Sequence, residues 1–152
     1  MRSFLMFLFA MVMATEPLLA ASPAAQMLVD RAAAACRALD DGEFDPGNAV
    51  SQIELRSQFG SVQAELVDES AYACSSAASL FCGTGGCMLH VVVEGEVKSW
   101  QATGWKLIDW GLDRILLIGR DGGWCGGAGA EVCYEAIVWS NGKALTVGPG
   151  PE

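Results

Sequence analysis

Apolar positions along this chain change their spacing twice, and each change predicts a different element. Residues 4–13 form an uncharged apolar run without period, preceded by Arg2 and followed by Thr15-Glu16-Pro17 and then Ala20-Ala21-Ser22. Basic, apolar and small segments in that order read as a secretory signal peptide. The run is about half of the roughly 20 residues that a bilayer-crossing helix needs, so residues 1–21 are expected to be a removable leader. Cleavage after Ala14, Ala20 or Ala21 fits the sequence.

The second pattern is helical. Ser22 offers a capping hydroxyl before Pro23, and alanine-rich sequence continues to Leu39, with Gly42 beyond it as the stop. Leu28, Ala32, Cys36 and Leu39 share one stripe, which predicts a buried face carrying Cys36.

After Pro46-Gly47 the period falls to two, and strands are expected near 50–55, 62–67, 88–93, 97–102, 105–110, 115–118, 132–139 and 144–147. Glu94-Gly95 and Asn141-Gly142 read as hairpin turns, the second with the composition of a type I′ turn. Residues 70–86, small and polar, read as one long loop, and 149–152 as a frayed tail. Residues 22–148 are therefore expected to form a single α+β domain. Its N-terminal helix would pack on a curled, mainly antiparallel sheet of six to eight short strands. Strands do not alternate with helices and no G-K-[ST] is present, so a parallel nucleotide-binding sheet and a phosphate loop are excluded.

Composition narrows the partners. The chain has 152 residues, 52% of them apolar, which is enough to build one core and too much for a disordered chain. Acids outnumber bases 18 to 9, and removal of residues 1–21 takes one of each, Glu16 and Arg2, leaving 17 and 8 and the same net −9. Nucleic acid and anionic lipid are disfavoured at that charge, and no membrane span is expected once the leader is gone.

The six cysteines, at 36, 74, 82, 87, 125 and 133, all lie downstream of the leader, and an even count in an exported chain argues for disulfides. Fifteen pairings are possible. Three glycines between Cys82 and Cys87 let that segment close on itself, and the glycine-rich stretch between Cys125 and Cys133 repeats the design. Cys36 then pairs with Cys74 by elimination. Neither spacing is the C-x-x-C of redox dithiols or the paired knuckles of zinc sites.

Candidate chemistry is sparse. His90, the single histidine, lies in an apolar strand; with Asp109, Asp113 or Glu135 it would give an envelope hydrolase, although no G-x-S-x-G elbow is present. Asp68 with Glu69, or Asp109 with Asp113, would be carboxylate pairs for glycan hydrolysis. Met88 and His90 would be two ligands for copper, and Asp40, Asp41, Glu43 and Asp45 a weak calcium loop, which without EF-hand spacing reads better as a solvated turn. No metal site and no cofactor is assigned. Five tryptophans, Trp100, Trp105, Trp110, Trp124 and Trp139, lie in the C-terminal half; most are expected in the core, with Trp124 at a surface.

Asp68-Glu69-Ser70-Ala71-Tyr72-Ala73-Cys74, Cys82-Gly83-Thr84-Gly85-Gly86-Cys87, and Trp124-Cys125-Gly126 through Cys133 with Trp139-Ser140-Asn141-Gly142 form a distinctive set of segments. The chain they span resembles small exported alphaproteobacterial proteins of uncharacterised function that carry a C-G-x-G-G-C element. An acidic, glycine-containing loop often precedes the D-E-S strand in that group, whereas residues 56–61 contain no acid here. The resemblance implies a periplasmic address and a disulfide framework, and no activity.

The leading expectation is a periplasmic or secreted, non-enzymatic module that binds an envelope protein or glycan through disulfide-pinned loops 70–87 and 121–131. Tyr72, Phe81, Thr84 and Trp124 are its candidate contact residues.

Overall fold

The computed structural model describes residues 21–148 except Ala130. Residues 1–20 of the expected 1–21 signal peptide and the expected tail at 149–152 lie outside the described residues. The chain is α+β and carries three disulfides.

Helix α1 spans Pro23–Arg37. Ser22 caps it, its hydroxyl accepting from the Ala25 amide at 3.3 Å, while the Ser22 amide donates to Glu65 Oε1 at 2.8 Å and ties the cap to the sheet beneath. Leu28, Ala32 and Cys36 are buried as their stripe predicts. Leu39 is not: the helix ends at Arg37, Asp40 and Asp41 turn through left-handed φ values, and Leu39 stays 40% exposed.

The expected single sheet of six to eight strands is replaced, among the described residues, by eleven strands in three antiparallel sheets. Strand β1 (Phe44–Asp45) and β4 (Ala73–Cys74) form a small ribbon. Strands β2 (Val50–Ser57), β3 (Gly60–Asp68), β6 (Gly86–Val93), β5 (Cys82–Gly83) and β7 (Glu96–Ala102) form a five-stranded sheet. The last sheet holds β8 (Gly104–Trp110), β9 (Asp113–Asp121), β10 (Val132–Ser140) and β11 (Lys143–Val147) as a meander.

The division falls at Thr103. This single residue separates β7 from β8, and its amide donates to Gly119 O in the other sheet at 2.8 Å, so the chain steps across instead of adding a neighbouring strand. The stretch 70–86 is likewise not one loop. It opens within a 3₁₀ turn, Glu69–Ala71, and contains both β4 and β5, strands too short to show a period.

Two apolar clusters explain the layers. Ile53, Leu55, Leu66, Leu89, Val91, Leu116, Ile118, Ile137 and Trp139 fill the space between the two large sheets. Ala25, Leu28 and Ala32 of α1 pack on Val67, Tyr72 and Val92, on the opposite face of the five-stranded sheet. Strand β6 is thus covered on both faces, which is why residues 88–93 read as continuously apolar. Both expected hairpin turns form: Glu94 and Gly95 have φ of 51° and 85°, and Asn141 and Gly142 of 50° and 75°, the double positive φ of type I′ turns.

Candidate functional site

The three disulfides join Cys36 to Cys74, Cys82 to Cys87 and Cys125 to Cys133. The first fastens α1 to β4. The other two close the turn between β5 and β6 and the loop between β9 and β10, and a cleft of about 390 Å³ lies where those segments meet. Thr84, Gly85 and Gln101 line one side of it and Arg120, Asp121, Gly123 and Trp124 the other.

Strands and caps fix this lining. Arg120 lies in β9 with its guanidinium 3.9 Å from the Trp124 ring centroid, so one face of the indole is occupied while the residue remains 51% exposed. Asp121 caps the 3₁₀ turn Gly122–Cys125, its Oδ1 accepting from the Gly123 amide at 2.9 Å, and Gly126 ends the turn at φ 78°. Arg120 itself is 6% exposed and faces Glu135 at 3.6 Å, too long for a hydrogen bond. Arg120 Nη1 and Glu135 Oε2 are buried without a hydrogen-bond partner among the described residues. The cleft is therefore lined by an aromatic platform, a guanidinium, a carboxylate, an amide and a hydroxyl. That set can recognise a polar ring compound by stacking and planar hydrogen bonding.

The other expected contact residues lie elsewhere. Tyr72 is buried and Phe81 half-buried, and with Phe44 they form an edge-to-face trio with centroids 5.1 to 5.7 Å apart beneath the helix-side loops. Of the four residues named for the binding loops, the cleft joins Thr84 and Trp124. Sequence reasoning missed Arg120 and Gln101, because an isolated Arg or Gln in a strand pattern carries no signal of what it faces.

His90 is buried, with both ring nitrogens engaged. Nε2 meets Glu69 Oε1 at 3.0 Å and Nδ1 meets Ser99 Oγ at 2.7 Å, Ser99 being its cross-strand partner on β7. With Glu69 ionised, Nε2–H donates to it, which leaves the Nδ1 lone pair to accept from the Ser99 hydroxyl. The carboxylates expected beside His90 are committed to other partners. Asp109 binds Arg114 at 2.7 Å and Arg56 at 3.0 Å, Asp113 accepts from the Gln58 amide at 3.0 Å, and Glu135 faces Arg120. The hydrogen bond from Arg114, helped by Arg56, holds the Asp109 carboxyl below its ordinary range. Asp68, the other carboxylate of the expected glycan-hydrolysing pair, accepts from Trp105 Nε1 at 2.7 Å and caps the turn that carries Glu69.

A copper site at Met88 and His90 finds the imidazole nitrogens already in use. Among the described residues no three or more His, Cys, Asp and Glu side chains converge. Asp45 of the acidic loop accepts from the Gly47 amide at 2.9 Å, as a turn residue does. No described helix is long and apolar enough to cross a membrane.

No known protein family, no curated protein and no solved structure matches the chain.

Proposed function

We propose that the protein is a non-enzymatic binding module of an oxidising compartment, periplasmic or secreted, and that its ligand is a sugar unit of an envelope glycan held in the cleft between the two disulfide-closed loops. The observation that carries this reading is the half-exposed Trp124 ring, backed on one face by buried Arg120 and surrounded by Asp121, Gln101 and Thr84. A pyranose presents an apolar C–H face for an indole and hydroxyls at its edge for carboxylate, amide and guanidinium groups, which matches this lining. Three disulfides suit that compartment, and the resemblance to small exported alphaproteobacterial proteins points the same way.

The test is tryptophan fluorescence and calorimetric titration of the oxidised protein with soluble muropeptides and envelope oligosaccharides. Wild type is expected to bind with a change in indole emission, and Trp124→Ala to weaken binding about tenfold or more, the effect of removing a stacking anchor. Binding that survives Trp124→Ala unchanged would sink the reading.

An envelope hydrolase is the second reading, supported by the Ser99–His90–Glu69 line of hydrogen bonds with Ser99 exposed on its strand. A fluorophosphonate probe distinguishes the two: covalent labelling of Ser99 that is lost in His90→Gln favours the hydrolase, and an unlabelled protein favours the binding module.

A further inference from the structure

The outward face of the four-stranded sheet is apolar, and neither apolar cluster of the chain reaches it. Register places Lys106, Leu117, Ala136 and Val147 in one row across the four strands and Ile108, Ile115, Val138 and Leu145 in the next. Outward positions of β2 and β3 read very differently, as Gln52, Glu54, Arg56, Ser61 and Gln63. One molecule thus contains a sheet surface composed for water and another composed for burial. The five-stranded sheet covers its apolar outer part with α1; the four-stranded sheet has no described element in that place.

We propose that a second copy of this chain covers this face, sheet against sheet, in a two-fold dimer. The face is self-complementary in the way a two-fold interface requires. At one end of β8, Trp110 projects outward and is 72% exposed. At the other end an apolar hollow of about 500 Å³ lies over Gly104 and Gly119, walled by Leu117 and Tyr134. Positions 104 and 110 are equidistant from Leu107, so a two-fold axis lying in the interface and crossing the strands at that level sets each Trp110 over the other copy's hollow.

The size is adequate. Four strands of seven, nine, nine and five residues, about 4.8 Å apart at about 3.3 Å per residue, give a flat footprint of about 475 Å². Side-chain relief raises this toward the roughly 600 to 800 Å² per partner of specific interfaces. Charge agrees, since copies of −9 repel and must meet where acids are scarce; Lys106 is the one charged residue in the two central rows.

The experiment is sedimentation velocity of the oxidised, exported protein over a concentration series, with light scattering for mass. A reversible monomer–dimer equilibrium that tightens with added salt is expected. Trp110→Ser removes the projecting ring. Gly104→Leu fills the hollow, and an added Cβ there meets nothing within 4 Å of its own chain, so the fold tolerates it. Each variant is expected to weaken the dimer about tenfold or more, while circular dichroism, and the melting curve at dilutions where wild type is monomeric, stay unchanged. A wild type that remains monomeric throughout, alone or bound to zwitterionic vesicles, overturns the proposal. So does a dimer that both variants leave intact.

Discussion

Tyr72 shows how a single side chain can be placed for its ring and not for its hydroxyl. The ring meets Phe44 and Phe81 edge to face, while its oxygen is buried without a hydrogen-bond partner among the described residues. Burial, aided by the nearby charges of Glu69 and Asp68, pushes the phenol up to about 12 from its ordinary 10.0. The folded state thus keeps a proton that the unfolded chain gives up above pH 10, so stability present below pH 10 is lost as the pH rises toward 12. Tyr72→Phe is expected to be neutral or to stabilise by up to about 1 kcal/mol near neutrality, because only an unpaired hydroxyl is removed. It should also remove the late phenolate absorbance near pH 12 and flatten the alkaline loss of stability, both readable in a spectrophotometric titration with parallel melts. None of this was legible beforehand: Tyr72 and Phe81 in a polar stretch look like loop contacts until Phe44, distant in sequence, is seen to complete their apolar cage.

Elements were legible in proportion to their length. The period of α1, the continuous apolar run of β6 and the Asn141-Gly142 turn are all written locally, because each is a pattern of residues within one helix, one strand or one hairpin. Strands β1, β4 and β5 have two residues each, too few for any alternation, and the disulfide partners and sheet neighbours that hold them lie far along the chain. The step between sheets at Thr103 escaped for a related reason, since nothing in the residues before or after it distinguishes crossing over from turning back. Gly86, where β6 begins, shows the local constraint at its sharpest. It has φ 98°, and a Cβ there would fall on the Ala102 carbonyl oxygen of β7. Gly86→Ala is therefore expected to cost at least about 2 kcal/mol in chemical denaturation, from a strained φ combined with a backbone clash.

At the scale of the molecule, the helix layer hangs on one long crosslink. Cys36 and Cys74 are separated by 38 residues, and on the loop-entropy argument their bond contributes about 4 kcal/mol by restricting the unfolded chain. Replacing both by serine should lower unfolding free energy by about that amount in urea titration of otherwise oxidised protein, a large share of a domain's net stability. The candidate cleft was half legible: spacing marked the two closed loops and Trp124, but which strand residues faced them is a property of the folded sheets.

The remaining two crosslinks carry a different consequence. Cys82–Cys87 and Cys125–Cys133 each shape a wall of the same cleft, so the proposed binding function would make ligand capacity and sulfur oxidation one variable. A newly made copy still holding six thiols would have the strands but not the vise, and would gain its grip only on reaching an oxidant. Recognition would then be timed by location, with the chain inert where it is synthesised and competent where its sulfurs have joined.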